Sequence, residues 1–197
     1  KETGRQLEID NEYIMSPKDL CTIGFVDKLI ESGVQVFKIE GRARAAEYVK
    51  TVTTCYHEAI DAYLSGTYTT DKIEKWTERL KTVFNRGFWD GYYQGQQLGE
   101  WSEIYGSAAT KKKMYIAKAM NYFSNLGVAE FLVETGELAL GDEIIITGPT
   151  TGVLELKIEE IRVDLKPVDK AVKGERFSMP VPDRIRKADK LYKMVSV

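Results

Sequence analysis

Apolar residues recur at different spacings in the two halves of the chain, and the spacing predicts the elements. A short apolar piece, Tyr13-Ile14-Met15, precedes Ser16-Pro17-Lys18-Asp19. Ser16 is a good helix N-cap, Pro17 suits a first turn and Asp19 favours the positive end of the dipole, so a helix is expected to begin there. Leu20, Ile23, Val26 and Leu29-Ile30 would form its apolar face, and Gly33 its left-handed C-terminal cap. Val34 to Ile39 is β-branched and aromatic, as a buried strand requires. From Ala45 to Leu64, Tyr48-Val49, Val52, Cys55-Tyr56, Ala59-Ile60 and Tyr63-Leu64 repeat at the period of one helical face, and Gly66 ends it. Asp71 with Glu74 is expected to cap a third helix, in which Ile73, Trp76, Leu80, Val83 and Phe84 share one side.

This β-α pattern without long hairpins predicts parallel strands covered by helices, as in part of an α/β barrel or a layered sheet. Only one or two credible strands are present, where a closed barrel takes about eight. From Ala108 the texture changes. Short β-prone runs recur at Met114–Met120, Val128–Val133, Glu143–Thr147, Val153–Ile161, Arg176–Met179 and Leu191–Ser196, with Gly-containing turns between them. They predict a small antiparallel barrel, so the fold class is α/β followed by all-β. The expected division is residues 1–84, a connecting arm rich in Gly and aromatics at 85–110, and 111–197.

Composition narrows the class. With 197 residues, 43% apolar, and 28 basic against 30 acidic side chains, the chain is globular rather than disordered. It has no uncharged apolar run of about 18 residues, and its first residues lack a secretory apolar stretch. It therefore reads as soluble and cytoplasmic, without a membrane partner. Charge is uneven: residues 1–106 carry a net of −4 and residues 107–197 a net of +2. The two cysteines, Cys21 and Cys55, match neither a disulfide framework nor a compact zinc spacing, so no metal site is expected within this chain alone.

Candidate chemistry begins at the Val34–Ile39 run. Alternation places Val34, Val36, Lys38 and Glu40 on one face and Gln35, Phe37 and Ile39 on the other. If Phe37 and Ile39 face covering helices, Lys38 and Glu40 face a barrel interior at the strand's C-terminal end, where such barrels place active sites. Arg42 and Arg44 follow, and could bind a carboxylate or phosphate. A functional mouth and a structural ion pair both fit this pattern. Cys21 and Cys55 read as core thiols, and His57 as a surface residue off the apolar stripe. No paired His-Glu spacing and no Ser-centred elbow occurs, so the chain holds no complete hydrolytic machine. Arg86 lies among aromatics that could stack on bases while Lys111, Lys112 and Lys113 neutralise phosphates; arm packing and a solvated Lys triplet are the alternative.

Ser16-Pro17-Lys18-Asp19-Leu20-Cys21, Phe37-Lys38-Ile39-Glu40-Gly41-Arg42, Tyr48-Val49 with Tyr56, Ala59-Ile60-Asp61 and Tyr63, and Phe84-Asn85-Arg86-Gly87-Phe88 with Gly91-Tyr92 occur in this order. Their succession over Tyr13 to Tyr93 resembles the collagenase-like peptidase family U32, and the remainder is similar to a C-terminal β-domain found in part of that family. The turn Leu138 to Ile144 also resembles the second domain of translation elongation factors. The resemblance implies that residues 1–84 are the last strand–helix units of a TIM-like barrel, that 111–197 are a small β-barrel, and that an N-terminal half of the same protein completes the active site. It implies a peptidase with Lys38, Glu40 and Arg42 at the barrel mouth. The alternatives are the RNA-docking portion of a protein that hydroxylates tRNA or ribosomal RNA bases, and a structural capping or assembly domain open to self-association. In several such relatives four cysteines hold an iron–sulfur cluster, and Cys21 matches the last of them. Its three partners would lie upstream, so no cofactor is expected in this chain by itself.

Overall fold

The computed structural model describes residues 16–96 and 99–197. The chain divides into two compact units, one ending at Thr110 and the other running from Lys111 to Val197. The predicted apolar piece Tyr13–Met15 lies outside the described residues.

The first unit contains β1 (Asp19–Leu20), α1 (Val26–Glu31), α2 (Ala46–Leu64), α3 (Thr70–Lys81) and β2 (Phe88–Trp89). α2 follows the predicted stripe: Val52, Cys55, Ala59 and Ala62 are buried, and they meet Trp76 and Leu80 of α3 together with Ile23 and Val26. α3 starts one turn's edge earlier than Asp71 implies. Thr69 is its N-cap residue, and Asp71 instead contributes its charge to the first turn. α1 ends as expected. Gly33 has φ +94°, its N–H bonds the Ile30 carbonyl, and the Val34 N–H bonds that of Leu29, the paired closure of a Schellman motif.

Two local expectations fail, for one reason. Ser16 does not cap a helix: Ser16–Cys21 is extended, and α1 begins only at Val26. Its backbone partners are distant in sequence. The N–H groups of Lys18, Asp19 and Cys21 bond the carbonyls of Glu100, Gly87 and Trp89, and the Ser102 N–H bonds the Ser16 carbonyl. Val34–Ile39, expected as a buried strand, pairs with no strand among the described residues, and Val36 is 83% exposed. Strand identity depends on a neighbour's ladder, which a local pattern cannot supply. The alternation is present from Val36 onward: Phe37 and Ile39 pack on the helical core, while Val36, Lys38 and Glu40 are exposed; Gln35, expected on the inner face, is exposed like Val34. The only parallel ladder described is β1 with β2, two residues long.

The second unit comprises β3 (Lys111–Phe123), β4 (Val128–Val133), β5 (Glu137–Ala139), β6 (Glu143–Gly148), β7 (Gly152–Lys157), β8 (Arg162–Val163), β9 (Lys166–Pro167), β10 (Lys170–Val172), β11 (Arg176–Pro180) and β12 (Lys190–Ser196). All six predicted runs contain a strand. Eight strands form one antiparallel sheet in the order β7-β6-β12-β3-β4-β11-β8-β9, and β5 pairs with β10. Among the described residues its ladder ends at β7 and β9, and backbone bonds of Gly141 and Asp142 with Ile158 and of Leu140 with Asp169 join the chain after β7 and before β10 to the turn after β5. Alternation sets its faces. Ala129, Phe131 and Val133 of β4 point inward with Phe177 and Met179 of β11, and the Phe131 and Phe177 rings stack at 5.4 Å.

A buried carboxylate ties the β6–β7 turn to the approach to β12. Asp189 is 3% exposed, and its Oδ2 accepts from Thr151 Oγ1 and, at 2.8 Å, from the Arg186 N–H. Gly148 lies against it: a Cβ there would stand 1.8 Å from Asp189 Oδ1. Gly148→Ala is therefore expected to lower stability by about 1–3 kcal/mol, the usual cost of overpacking a closed site. The urea unfolding midpoint of the variant checks this, with Asp189→Asn as the comparison that keeps the shape but removes the charge.

Candidate functional site

The motif residues of the first unit converge around β1. Its Asp19 carboxylate accepts from the Arg44 guanidinium at 3.3 Å and from the Arg86 backbone N–H at 3.1 Å. Arg44 lies 4.1 Å from the centre of the Phe84 ring and 5.3 Å from that of Tyr48, so its charge is held between a carboxylate and two aromatic faces. Lys18 bridges Glu100 at 2.7 Å, and its stem runs beside Gly87, whose φ is +83°.

At the C-terminal end of β1, Cys21 donates its N–H to the Trp89 carbonyl. The next N–H, of Thr22, bonds Tyr56 Oη of α2 at 2.9 Å, and the Thr22 hydroxyl lies 3.2 Å from the same oxygen. Tyr68 donates to the Ile23 carbonyl. Burial pushes the Cys21 thiol above its ordinary value. Hydrogen bonds at Ile23 and Tyr56 pull it back only in part, and the Asp90 and Asp19 carboxylates push it further up. Burial, then the neighbouring Cys21, also raises the Tyr56 phenol. The net direction for Cys21 is upward, which favours the thiol over the thiolate. Burial takes the Cys55 thiol up to about 11, and its Sγ approaches the Trp76 carbonyl at 3.9 Å.

The expected mouth residues are arranged differently from the sequence reading. Lys38 and Glu40 are exposed, not a buried pair, because among the described residues no strand pairs with the segment that carries them. Glu40 Oε1 accepts the Arg42 N–H at 2.7 Å and so shapes the turn through Gly41, where the backbone approaches Val49 of α2. Arg42 is exposed, whereas Arg44 is the arginine drawn to a carboxylate. His57 is exposed and lies 3.3 Å from Asp61 on the same helix. Arg86 belongs to the first unit and Lys111–Lys113 to the second. Lys111 is engaged by Glu143, Lys113 lies 4.9 Å from the Tyr192 ring centre, and Lys112 is exposed.

The chain's two cysteines cannot supply four thiolates, and no group of three His, Cys, Asp or Glu among the described residues is placed to hold a metal ion. A four-cysteine cluster therefore does not fit these residues taken alone. The roles of Asp19 and Tyr56 were not legible in the sequence: Asp19 looked like a helix-start acid and Tyr56 like one more residue of an apolar stripe. Their partners lie 25 and 34 residues away, and no periodicity links them.

Residues 1–103 match the profile of Peptidase family U32. The chain belongs to peptidase family U32. It is 61% identical to a collagenase of Porphyromonas gingivalis over 193 residues, which are 98% of this chain and 47% of that protein. It is 32% identical to tRNA hydroxylation protein P1 of Bacillus subtilis over 143 residues, 72% of this chain and 33% of that protein. This U32 chain therefore spans about half the length of the first relative and a third of the second. The crystal structure of the selenomethionine variant of a U32 peptidase C-terminal domain from Geobacillus thermoleovorans aligns with 40% of this chain and 96% of that one, at 18% identity and a TM-score of 0.38. Among the described residues no helix is long and apolar enough to cross a membrane.

The raised thiols make a pH prediction. A group whose pKa is higher folded than unfolded stabilises fully below its unfolded value, and that contribution is lost as pH rises through the folded value. For Cys55 the window runs from 9.0 to about 11. The melting temperature of the chain is expected to fall across that window, and to fall less in Cys55→Ala. Thiol titration with a disulfide reagent at pH 7 should modify both cysteines slowly in the folded chain and rapidly in urea.

Proposed function

We propose that this chain is the C-terminal portion of a collagenase-like U32 peptidase, carrying part of the active-site rim without a complete catalytic set. The 61% identity to the Porphyromonas collagenase, which extends over nearly the whole chain, is the observation that carries the reading. In it the first unit supplies the last strand–helix units of a TIM-like barrel, and the second unit curls towards a small barrel of the kind found in translation factors. Val34–Glu40 would pair with strands of an N-terminal half outside this chain. The packing of Phe37 and Ile39 on the helices supports this, because it leaves Lys38 and Glu40 on the side a barrel interior would occupy. Glu40 would then act as an acid or base, Lys38 would balance its charge, and Arg42 would hold a substrate carboxylate or carbonyl. Any cluster joined by Cys21 would need three ligands from outside this chain.

Gelatin hydrolysis by the longer protein and by this chain alone tests the assignment. The chain alone is expected to give no turnover. In the longer protein, Glu40→Gln is expected to lower kcat by about 100-fold or more with KM little changed. Full activity in a folded Glu40→Gln protein, or turnover by the isolated chain, would remove Glu40 or the split site respectively.

A second reading, as the RNA-docking portion of a tRNA-modifying U32 protein, is favoured by the 32% identity to the Bacillus tRNA hydroxylation protein. It expects labelled tRNA to bind this chain at low salt and to dissociate steeply as salt rises.

A further inference from the structure

The outward face of the central β3–β12 pair combines two features that a merely solvated sheet face does not need. Leu191 and Ala117, opposite one another in the ladder, are fully buried and point into the core. A register shift between Leu191 and Tyr192 breaks the alternation here: Ile116 is buried beside Ala117, and Tyr192 comes to stand opposite Tyr115, while Lys190 stands opposite Lys118. Tyr115 and Lys118 both reach Glu134, which places them on one face, away from the core. The tyrosine rings meet edge to face at 5.6 Å, and the Lys113 ammonium lies 4.9 Å from the Tyr192 ring centre. The result is an aromatic step with a cation over one of its rings.

Beside that step stand two like charges directly across a ladder, an arrangement that costs stability. Glu134 offsets part of it. It accepts from the Tyr115 hydroxyl, lies 3.3 Å from Lys118, and is held below the usual carboxylate range by the Tyr115 and Lys118 hydrogen bonds, with Lys190 adding to the pull. One carboxylate thus serves two ammonium groups. The same row continues through Leu132 of β4 to Arg176 of β11, which is exposed. Lys111 lies outside this arrangement because Glu143 engages it. Cations in one row and tyrosine rings in the next are complementary to a chain that repeats phosphates and planar bases together, whereas an acidic polypeptide offers the charge without the rings.

We propose that this face, built from Tyr115, Tyr192, Lys113, Lys118, Lys190 and Arg176, is a docking surface for single-stranded RNA. The inference rests on the RNA-docking reading above and gives it a location. Bases stack against the tyrosine step and phosphates lie over the Lys118–Lys190 row, relieving its repulsion.

Fluorescence anisotropy of a labelled oligouridylate with the full chain tests it. The double variant Lys118→Gln, Lys190→Gln is expected to bind about 10-fold more weakly at low salt, with a slope of log K against log salt shallower by about 1.4, corresponding to two lost phosphate contacts on a single strand. Its melting temperature should change little, because the Lys118–Lys190 repulsion removed offsets the exposed Lys118–Glu134 pair lost. Tyr192→Leu is expected to bind about 5-fold or more weakly with the salt slope unchanged, and Tyr192→Phe, which keeps the ring, should bind as the unaltered chain does. Unchanged binding in both the lysine and leucine variants would overturn the location while leaving the RNA-docking reading standing. Absence of binding by the unaltered chain at low salt would overturn both. Competition by polyglutamate of equal charge as effective as that by the oligouridylate would overturn RNA as the occupant in favour of an acidic polypeptide.

Discussion

The first unit depends on the hydrogen bonding of Ser16–Cys21. This extended stretch lies between Gly87–Trp89 on one side and Glu100–Ser102 on the other, and its backbone groups are satisfied almost entirely from those two distant segments. Asp19 adds a side-chain anchor. By accepting from Arg44 and from the Arg86 N–H, it joins the loop before α2 to the start of the arm after α3. Arg44 is at once paired and stacked, which favours guanidinium over ammonium at that position. Without these contacts, β1 would have no ladder and Cys21 no fixed place beside Tyr56.

Position also governs the chemistry of the thiols and the loop. Cys21 follows the last residue of β1, where burial pushes its thiol above the ordinary value. Lys38, Glu40 and Arg42 lie on a segment whose inner face is packed and whose outer face is bare. Glu40 is engaged in shaping its own turn.

The second unit solves a different problem. Its core comes from alternation on antiparallel strands interrupted by bulges, and several charges are matched across the sheet, as in Lys111 with Glu143, Lys170 with Glu137 and Lys193 with Asp142. Against that background, the directly opposed Lys118 and Lys190 stand out as a local departure. Asp189, buried, shows how the same unit treats a charge that serves structure: its Oδ2 accepts from two donors and a glycine lies against its Oδ1.

By itself the sequence determined what local periodicity can carry. The stripe of α2, the Schellman close at Gly33, the six β-prone runs and the split of Phe37 and Ile39 from Lys38 and Glu40 all follow from spacing and from the conformational freedom of glycine, and the ordered motifs sufficed for the family. Only tertiary structure decided the rest. Ser16–Asp19 has every sign of a helix start, but the distant backbone groups of Gly87, Glu100 and Ser102 take its hydrogen bonds. Val34–Ile39 has the composition of a buried strand, but burial is conferred by neighbours and not by the segment. Likewise Arg44 rather than Arg42 meets a carboxylate, and Lys190 comes to face Lys118, because pairing partners are set by register between strands far apart in the chain. Propensity acts over a few residues; desolvation, ladders and charge pairing act across the fold.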